Sequence, residues 1–312
     1  MRKRIICLAL SFIMLLSVSV TVSAAERDIT PQTAADRLNY YGLFNGSDIG
    51  YELERAPTRL EALAMLVRLM GHEEYARTAE WSHDERHPFK DVPTWGESYV
   101  QWGYSVGMVN GMSDNLFGSS EIVSAAQFTT MILRALGCDD GYGVFVWNNP
   151  WLISDEIGLT FGEYSTTKQF TRGDVAILAY RALSRHTTFD NNSLIYELAL
   201  MGAIAEDKRA EAYAEFGRET HPIGIDALGR YLDIPRNNSV FVDIFGYQSF
   251  SGRLSATSGN EDIAKVTVGA AYYGEMAQSS IYVTANSPGK TYIKLVFDGD
   301  ERATTYINVQ VK

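Results

Sequence analysis

Three segments of this chain align with one another without a gap: TRLEALAMLVRLMG from Thr58, SAAQFTTMILRALG from Ser124 and TRGDVAILAYRALS from Thr171. Each opens on a hydroxyl residue and places an acid or amide three positions later, at Glu61, Gln127 and Asp174. That spacing lets side chain and backbone cap each other at the start of a helix, a contribution of about 1 kcal/mol per cap. Each segment carries an arginine ten positions in (Arg68, Arg134, Arg181) and closes on Gly71, Gly137 or Ser184. A glycine there suits a left-handed helix end. Met65, Met131 and Leu178 share one register and Met70, Leu136 and Leu183 another, so each predicted helix has an apolar face. Val123 with Phe128, and Phe170 with Val175, stand where an apolar pair can staple the helix entry.

A second signature precedes each of these helices. GLFNG (42–46), GMVNG (107–111) and GLTFG (158–162) each place two glycines four apart around an apolar residue. Short amphipathic stretches lie upstream of them: AADRLNYY, GESYVQWGYSV and PWLISDEI. The unit is helix, glycine-bounded turn, loop, helix. A unit of roughly 45 residues cannot bury its own apolar faces, so the three are expected to pack together. The spacing is uneven, 66 residues from Thr58 to Ser124 and 47 from Ser124 to Thr171. The excess is a charged insertion, HEEYARTAEWSHDERHP at 72–88, while the third loop is short.

The chain opens with Arg2, Lys3 and Arg4, an apolar run from Ile5, and small residues at Ser23, Ala24 and Ala25. That layout predicts a secretory signal peptide over residues 1–25, with a membrane anchor as the alternative, and an exported protein with no transmembrane segment after cleavage. Cys7 would leave with the leader, so Cys138 would be the one remaining thiol and stability must come from packed cores. The hydrophobic content of 46% excludes a disordered stalk for most of the chain. A formal charge of −11, or −14 without the three leader cations, argues against a nucleic-acid partner.

The repeated segments resemble the S-layer homology (SLH) repeat. The middle unit, FKDVPTWGESYVQWGYSVGMVNGMSDNLFGSSEIVSAAQF, matches a pattern of Phe-x-Asp-Val, a tryptophan, Gly-x-x-x-Gly, a later Phe and the cap of a second helix. The first and third units supply the Thr-Arg-x-acid signature as TRLE and TRGD. The resemblance covers about residues 28–186, in three degenerate repeats. It implies a pseudo-threefold helical bundle that binds secondary cell-wall polysaccharide, often a pyruvylated and so anionic glycan, in grooves between repeats. It also implies that the Thr-Arg signature lends those grooves their arginines. The middle unit departs from the pattern, since Ser124-Ala125-Ala126-Gln127 keeps the cap without the arginine. The first unit lacks the Phe-x-Asp-Val entry, and the third keeps Trp151 at a different spacing.

The candidate glycan-binding residues are Arg59, Arg172, Trp95, Thr58, Thr171 and Gly111. Thr58 and Thr171 are explained by capping alone. Arg59 and Arg172 are not, because a cation in the first helical turn costs a few tenths of a kcal/mol. A guanidinium beside free backbone N–H groups there can hold a carboxylate in bidentate fashion, the alternative being a salt bridge between repeats. Arg68, Arg134 and Arg181 are expected to pair with acids of a neighbouring repeat. Trp95 is either a sugar-stacking platform or a core residue. His83 and His87, with His72, Asp84 and Glu85 nearby, do not spell His-Glu-x-x-His, and Pro88 follows at once; a solvated loop is expected, not a metal site. No nucleophile motif appears, so no catalytic residue, cofactor or metal is assigned.

Residues 187–235 read as a helical connector, an apolar helix and a charged one separated by Gly202. From about Ser239 the period becomes two, in SVFVDIF, IAKVTV, SSIYVTA, TYIKLVF and TTYINVQV, with DGD at 298–300 as a hairpin turn. This stretch resembles bacterial immunoglobulin-like domains of the group-2 type, which implies a spacer or a contact for other surface proteins. The expected domains are repeats at 26–72, 89–138 and 139–186, an insertion at 73–88, the connector, and an immunoglobulin-like domain at 236–312. The expected fold is an all-α SLH-type bundle followed by a small all-β sandwich. The expected function is non-covalent, non-catalytic anchoring of a secreted surface protein to wall polysaccharide. The alternative is a structural or adhesive protein whose degenerate repeats keep the fold without binding glycan.

Overall fold

The computed structural model describes residues 26–81, 86–185, 187, 192–217, 223–225, 231–246, 254–269, 272–273, 277–297 and 304–312. The leader call (1–25), His83, Asp84, Glu85 and the DGD turn fall outside the described residues. The helices are α1 (Pro31–Tyr40), α2 (Arg59–Leu69), α3 (Glu73–Thr78), α4 (Glu97–Ser105), α5 (Ala125–Ala135), α6 (Trp151–Glu156), α7 (Arg172–Ala182), α8 (Leu194–Leu200) and α9 (Arg209–Phe216).

The three aligned segments become α2, α5 and α7, eleven residues each. Capping boxes are complete in all three: Glu61 N–H donates to Thr58, Gln127 N–H to Ser124 and Asp174 N–H to Thr171, and each N3 side chain answers the cap's own N–H. The three helices touch pairwise. Their other partners follow a cyclic order, α2 on α4, α5 on α6 and α7 on α1. The second helix of each unit thus packs on the first helix of the next, with the third returning to the first. Leu60, Leu63, Leu66, Phe128, Met131, Ile132, Val175 and Leu178 lose nearly all solvent contact in this arrangement. Burying a large apolar side chain contributes about 1.5–3 kcal/mol, and contacts between units take part in that burial here.

Arg68, Arg134 and Arg181 all find acids, but the expected pairing with a neighbouring repeat is corrected for Arg68, whose partner lies in the insertion, and for Arg181, whose partner lies in its own unit. Arg68 Nε donates to Glu73 at 2.6 Å, and Arg134 grips Asp140 with two bonds of 2.7 Å, both acids lying just beyond the arginine's own helix. Arg181, 1% exposed, meets Glu163 of its own unit. It also donates to the carbonyls of Glu26, Arg27 and Leu159, which ties the start of the described chain to α7. After α8, Gly202 takes a positive φ of 80°. Glu215 on α9 then accepts from Arg37, Tyr41 and Tyr180, so this section is packed on the helical core.

The rest forms β1 (Ile223–Ile225), β2 (Tyr231–Ile234), β3 (Ser239–Gly246), β4 (Leu254–Ser258), β5 (Ala264–Val268), β6 (Tyr272–Tyr273), β7 (Ala277–Ala285), β8 (Gly289–Phe297) and β9 (Thr304–Val311). One sheet runs β1-β3-β7-β5 with β6 beside β7, and the other β2-β9-β8-β4. These two sheets correct the expected fold, since the chain is mixed α and β and not an all-α bundle followed by a small immunoglobulin-like sandwich. Strand structure begins inside the expected helical connector. The Tyr231–Ile234 run alternates exposed and buried, and pairs in parallel with β9 from Tyr231↔Asn308 to Ile234↔Val311. The halves also share a core. Tyr306 is buried within the helical cluster with Tyr292 against it, the 3-10 turn Asp140–Tyr142 touches β8 and β9, and Lys294 bonds Glu156. A period-two pattern marks β3, β5, β7, β8 and β9 but carries no information on this lateral contact with the helices.

Candidate functional site

Arg59 is the first residue of α2, and its surroundings explain why a cation is tolerated there. Its N–H donates to the Glu121 carbonyl at 2.7 Å, and Val123 N–H donates back to the Pro57 carbonyl at 3.1 Å. The loop of the middle unit therefore covers the positive end of the helix with carbonyl oxygens. This corrects the expectation of free backbone N–H groups beside the guanidinium. Arg172 repeats the arrangement one unit on: its N–H donates to the Arg55 carbonyl at 2.9 Å and Gly173 N–H to the Leu53 carbonyl at 2.8 Å.

The two guanidinium groups then diverge. Arg172 donates its Nε to the Tyr51 carbonyl at 2.8 Å and lies over the Phe44 ring. Arg55, paired with both Glu52 and Glu61, fills the space beside it. Arg59 is 7% exposed, lies 5.0 Å from the Phe117 ring centroid, and its buried Nε has no hydrogen-bond partner. No ion pair to it occurs among the described residues. Burial, joined by the like charge of Arg134, pushes its pKa down to about 10, still well above neutrality. A charge this far buried, with no counter-ion among the described residues, is costly unless something answers it.

Arg59 faces a cavity of about 400 Å³ whose wall includes Asn110, Gly111, Gln127, Thr130, Arg134 and Trp147. Trp147 stands at its edge, 55% exposed, and its carbonyl accepts from Thr130 Oγ1 at 2.5 Å. Gly111 has φ +74°, and a Cβ there would lie 2.2 Å from Phe89 Cε1, so glycine alone lets the loop pass the Phe89 ring. Asp91 holds the other flank. Its carboxylate accepts the backbone N–H groups of Phe117, Gly118 and Ser119 at 2.7, 2.7 and 2.9 Å. Burial pushes the Asp91 carboxyl up, but these donors outweigh it and hold the pKa below the ordinary carboxylate range. Asp91 thus fixes the loop that lays Phe117 under Arg59.

The structure brings Arg59 and Gly111 together and leaves the other candidates elsewhere. Trp95 is 54% exposed, meets Tyr99 edge-on, and does not line this cavity. The tryptophan at this cavity is Trp147 and not Trp95. The Thr58 and Thr171 hydroxyls are engaged in their caps. The sequence assigns no site role to Asn110, Phe117, Trp147 or the Arg134–Asp140 pair. Phe117 had a signal, the later Phe of the repeat pattern, whereas Trp147 sits in an irregular stretch with none. His87 bonds Glu97 at 3.0 Å and stacks on Phe89. Among the described residues no group of three His, Cys, Asp or Glu side chains is placed to hold a metal. Nor, among them, is any helix long and apolar enough to cross a membrane.

With this geometry in view, the chain can be set beside its relatives. A "Cell surface protein" of Thermoanaerobacter kivui is 26% identical over 193 residues, 58% of this chain and 24% of its own length. A "Middle cell wall protein" of Brevibacillus brevis (strain 47 / JCM 6285 / NBRC 100599) is 30% identical over 170 residues, 53% of this chain and 16% of its own. A "Surface layer protein" of Brevibacillus choshinensis and an "Endoglucanase" of Bacillus sp. (strain KSM-635) match 12% and 15% of their lengths. The chain thus spans no more than about a quarter of the curated relatives it matches. No protein-family model matches it. Domains 4 and 5 of the S-layer protein SbsC, 18% identical over 28% of this chain and 50% of that one, give a TM-score of 0.25, too slight a likeness to carry an argument. The sequence relatives place this chain outside the cell, with the proteins of the cell wall and surface layer.

Proposed function

We propose that the chain anchors its protein non-covalently to the bacterial cell wall through three degenerate SLH-type repeats, by binding an anionic secondary wall polysaccharide in the Arg59 cavity. The observation that carries this reading is the Arg59 guanidinium, buried, charged and without a counter-ion among the described residues, on the wall of an open cavity. A ketal or uronate carboxylate supplies that counter-ion through charge-assisted hydrogen bonds. Trp147 offers a pyranose ring an apolar face, and Asn110, Gln127 and Thr130 supply polar groups for hydroxyls. We assign the Arg172 junction a structural role, since Tyr51, Glu52 and Glu61 already surround its charge. The anchoring is non-catalytic, and the C-terminal strands serve as a spacer or a contact for other surface proteins.

Co-sedimentation with purified wall polysaccharide tests the reading. Retention of the parent chain, lost when the glycan carboxylates are reduced to alcohols, supports it. Equal retention on native and reduced glycan rules out anion recognition. No retention on either favours the alternative, repeats that keep the fold without binding glycan.

A further inference from the structure

A second cavity, about 370 Å³, opens where the C-terminal ends of α2, α4 and α5 meet α8. Its wall is mostly apolar, and three methionines from three separate segments line it: Met70 after α2, Met108 after α4 and Met201 after α8. His72 and Trp102 line it too, their rings 4.7 Å apart and inclined by only 31°. The Met201 methyl lies 3.3 Å from where a Cβ would stand on Gly71, which sets its thioether against the Met70–His72 backbone. Among the described residues neither His72 ring nitrogen makes a hydrogen bond or an ion pair.

We propose that Met70, Met108, Met201 and His72, gathered around this cavity beside Trp102, bind a soft monovalent metal ion of the Cu(I) and Ag(I) class. Thioether and imidazole donors disfavour hard ions such as Mg²⁺ and Ca²⁺, and a donor set made mostly of neutral thioethers suits Cu(I) and Ag(I). A single positive charge needs little neutralisation, which suits a wall whose acid is Glu197 and whose Arg134 is already held by Asp140. The indole face beside His72 adds a cation–π contact. Met201, 49% exposed, leaves an entry path. Met side chains are unbranched and flexible, so the three thioethers can adjust their positions toward an ion.

The test uses the full chain carrying Cys7→Ser and Cys138→Ala, since thiols bind the same ions. Ag(I) is titrated in air, and Cu(I) anaerobically against a chromophoric Cu(I) chelator. One equivalent should be held in competition with the chelator and should quench tryptophan fluorescence. Met70→Leu with Met201→Leu, and separately His72→Gln, should each weaken binding by at least about tenfold. Met112→Leu, at the other cavity, should leave it unchanged. Unaltered circular dichroism and melting of the metal-free variants establishes that they fold. Failure of the parent to compete for one equivalent overturns the proposal. So does parent-like affinity in the Met70→Leu/Met201→Leu variant.

Discussion

Removing the Asp91 carboxylate should loosen the loop that builds the Arg59 cavity. Three backbone N–H groups, of Phe117, Gly118 and Ser119, converge on its two oxygens at 2.7–2.9 Å. A hydrogen bond to a charged group contributes about 1.5–3 kcal/mol, and a buried donor left alone costs about 1–3 kcal/mol. Asp91 itself is only partly buried, so water can replace some of its contacts and Asp91→Ala should cost about 3 kcal/mol in total and not three full penalties. For a unit of 150–250 residues that is a fall in Tm of about 6–12 °C. Asp91→Asn keeps one acceptor oxygen and should lose about half as much. The pH dependence has a definite sign. The folded pKa of Asp91 is depressed, so its contribution is complete above the unfolded carboxylate value of about 3.9 and is lost as pH falls through the folded value. Thermal unfolding of parent, Asp91→Ala and Asp91→Asn at pH 7 and pH 3 checks this, with the gap between parent and Asp91→Ala narrowing in acid. A gap below about 0.5 kcal/mol at pH 7 would show that other contacts hold the loop, and the reasoning fails.

Three further outcomes follow from the same contacts. Arg181→Ala should lower the urea midpoint by the equivalent of about 3–5 kcal/mol with an unchanged m value, because three main-chain carbonyls and Glu163 lose their partner. Gly111→Ala should cost about 1–3 kcal/mol in chemical denaturation, since its Cβ would collide with Phe89 at a positive φ. Arg172→Gln should leave retention on wall polysaccharide within about twofold of the parent in co-sedimentation, whereas Arg59→Gln should not.

The helical half was legible in its local chemistry. The hydroxyl and acid or amide at fixed spacing marked Thr58, Ser124 and Thr171 as caps, and all three capping boxes are formed. Capping is satisfied within four consecutive residues, so one sequence contains all it needs. The cyclic packing of α2, α5 and α7 on the next unit's first helix, by contrast, joins residues far apart in the chain, and periodicity shows which face is buried but not against what. The same division separates the site residues. Arg59 stood out because a cap does not need it. What distinguishes it from Arg172 is tertiary, a carbonyl and two glutamates at one junction and an open cavity at the other. Trp147 was invisible because nothing periodic surrounds it. The β-rich half showed β3, β5, β7, β8 and β9, yet the parallel pairing of Tyr231–Ile234 with β9 and the burial of Tyr306 in the helical core are contacts that no alternating pattern encodes.

The central claim is that Arg59 supplies the charge that holds an anionic wall glycan. Calorimetric titration of purified secondary wall polysaccharide into the parent chain and into Arg59→Gln tests it most directly. Loss of a buried, charge-assisted contact of about 2–3 kcal/mol should weaken binding by about 30- to 150-fold, with melting of the variant no lower than that of the parent. Equal affinity of parent and Arg59→Gln for the native glycan would contradict it.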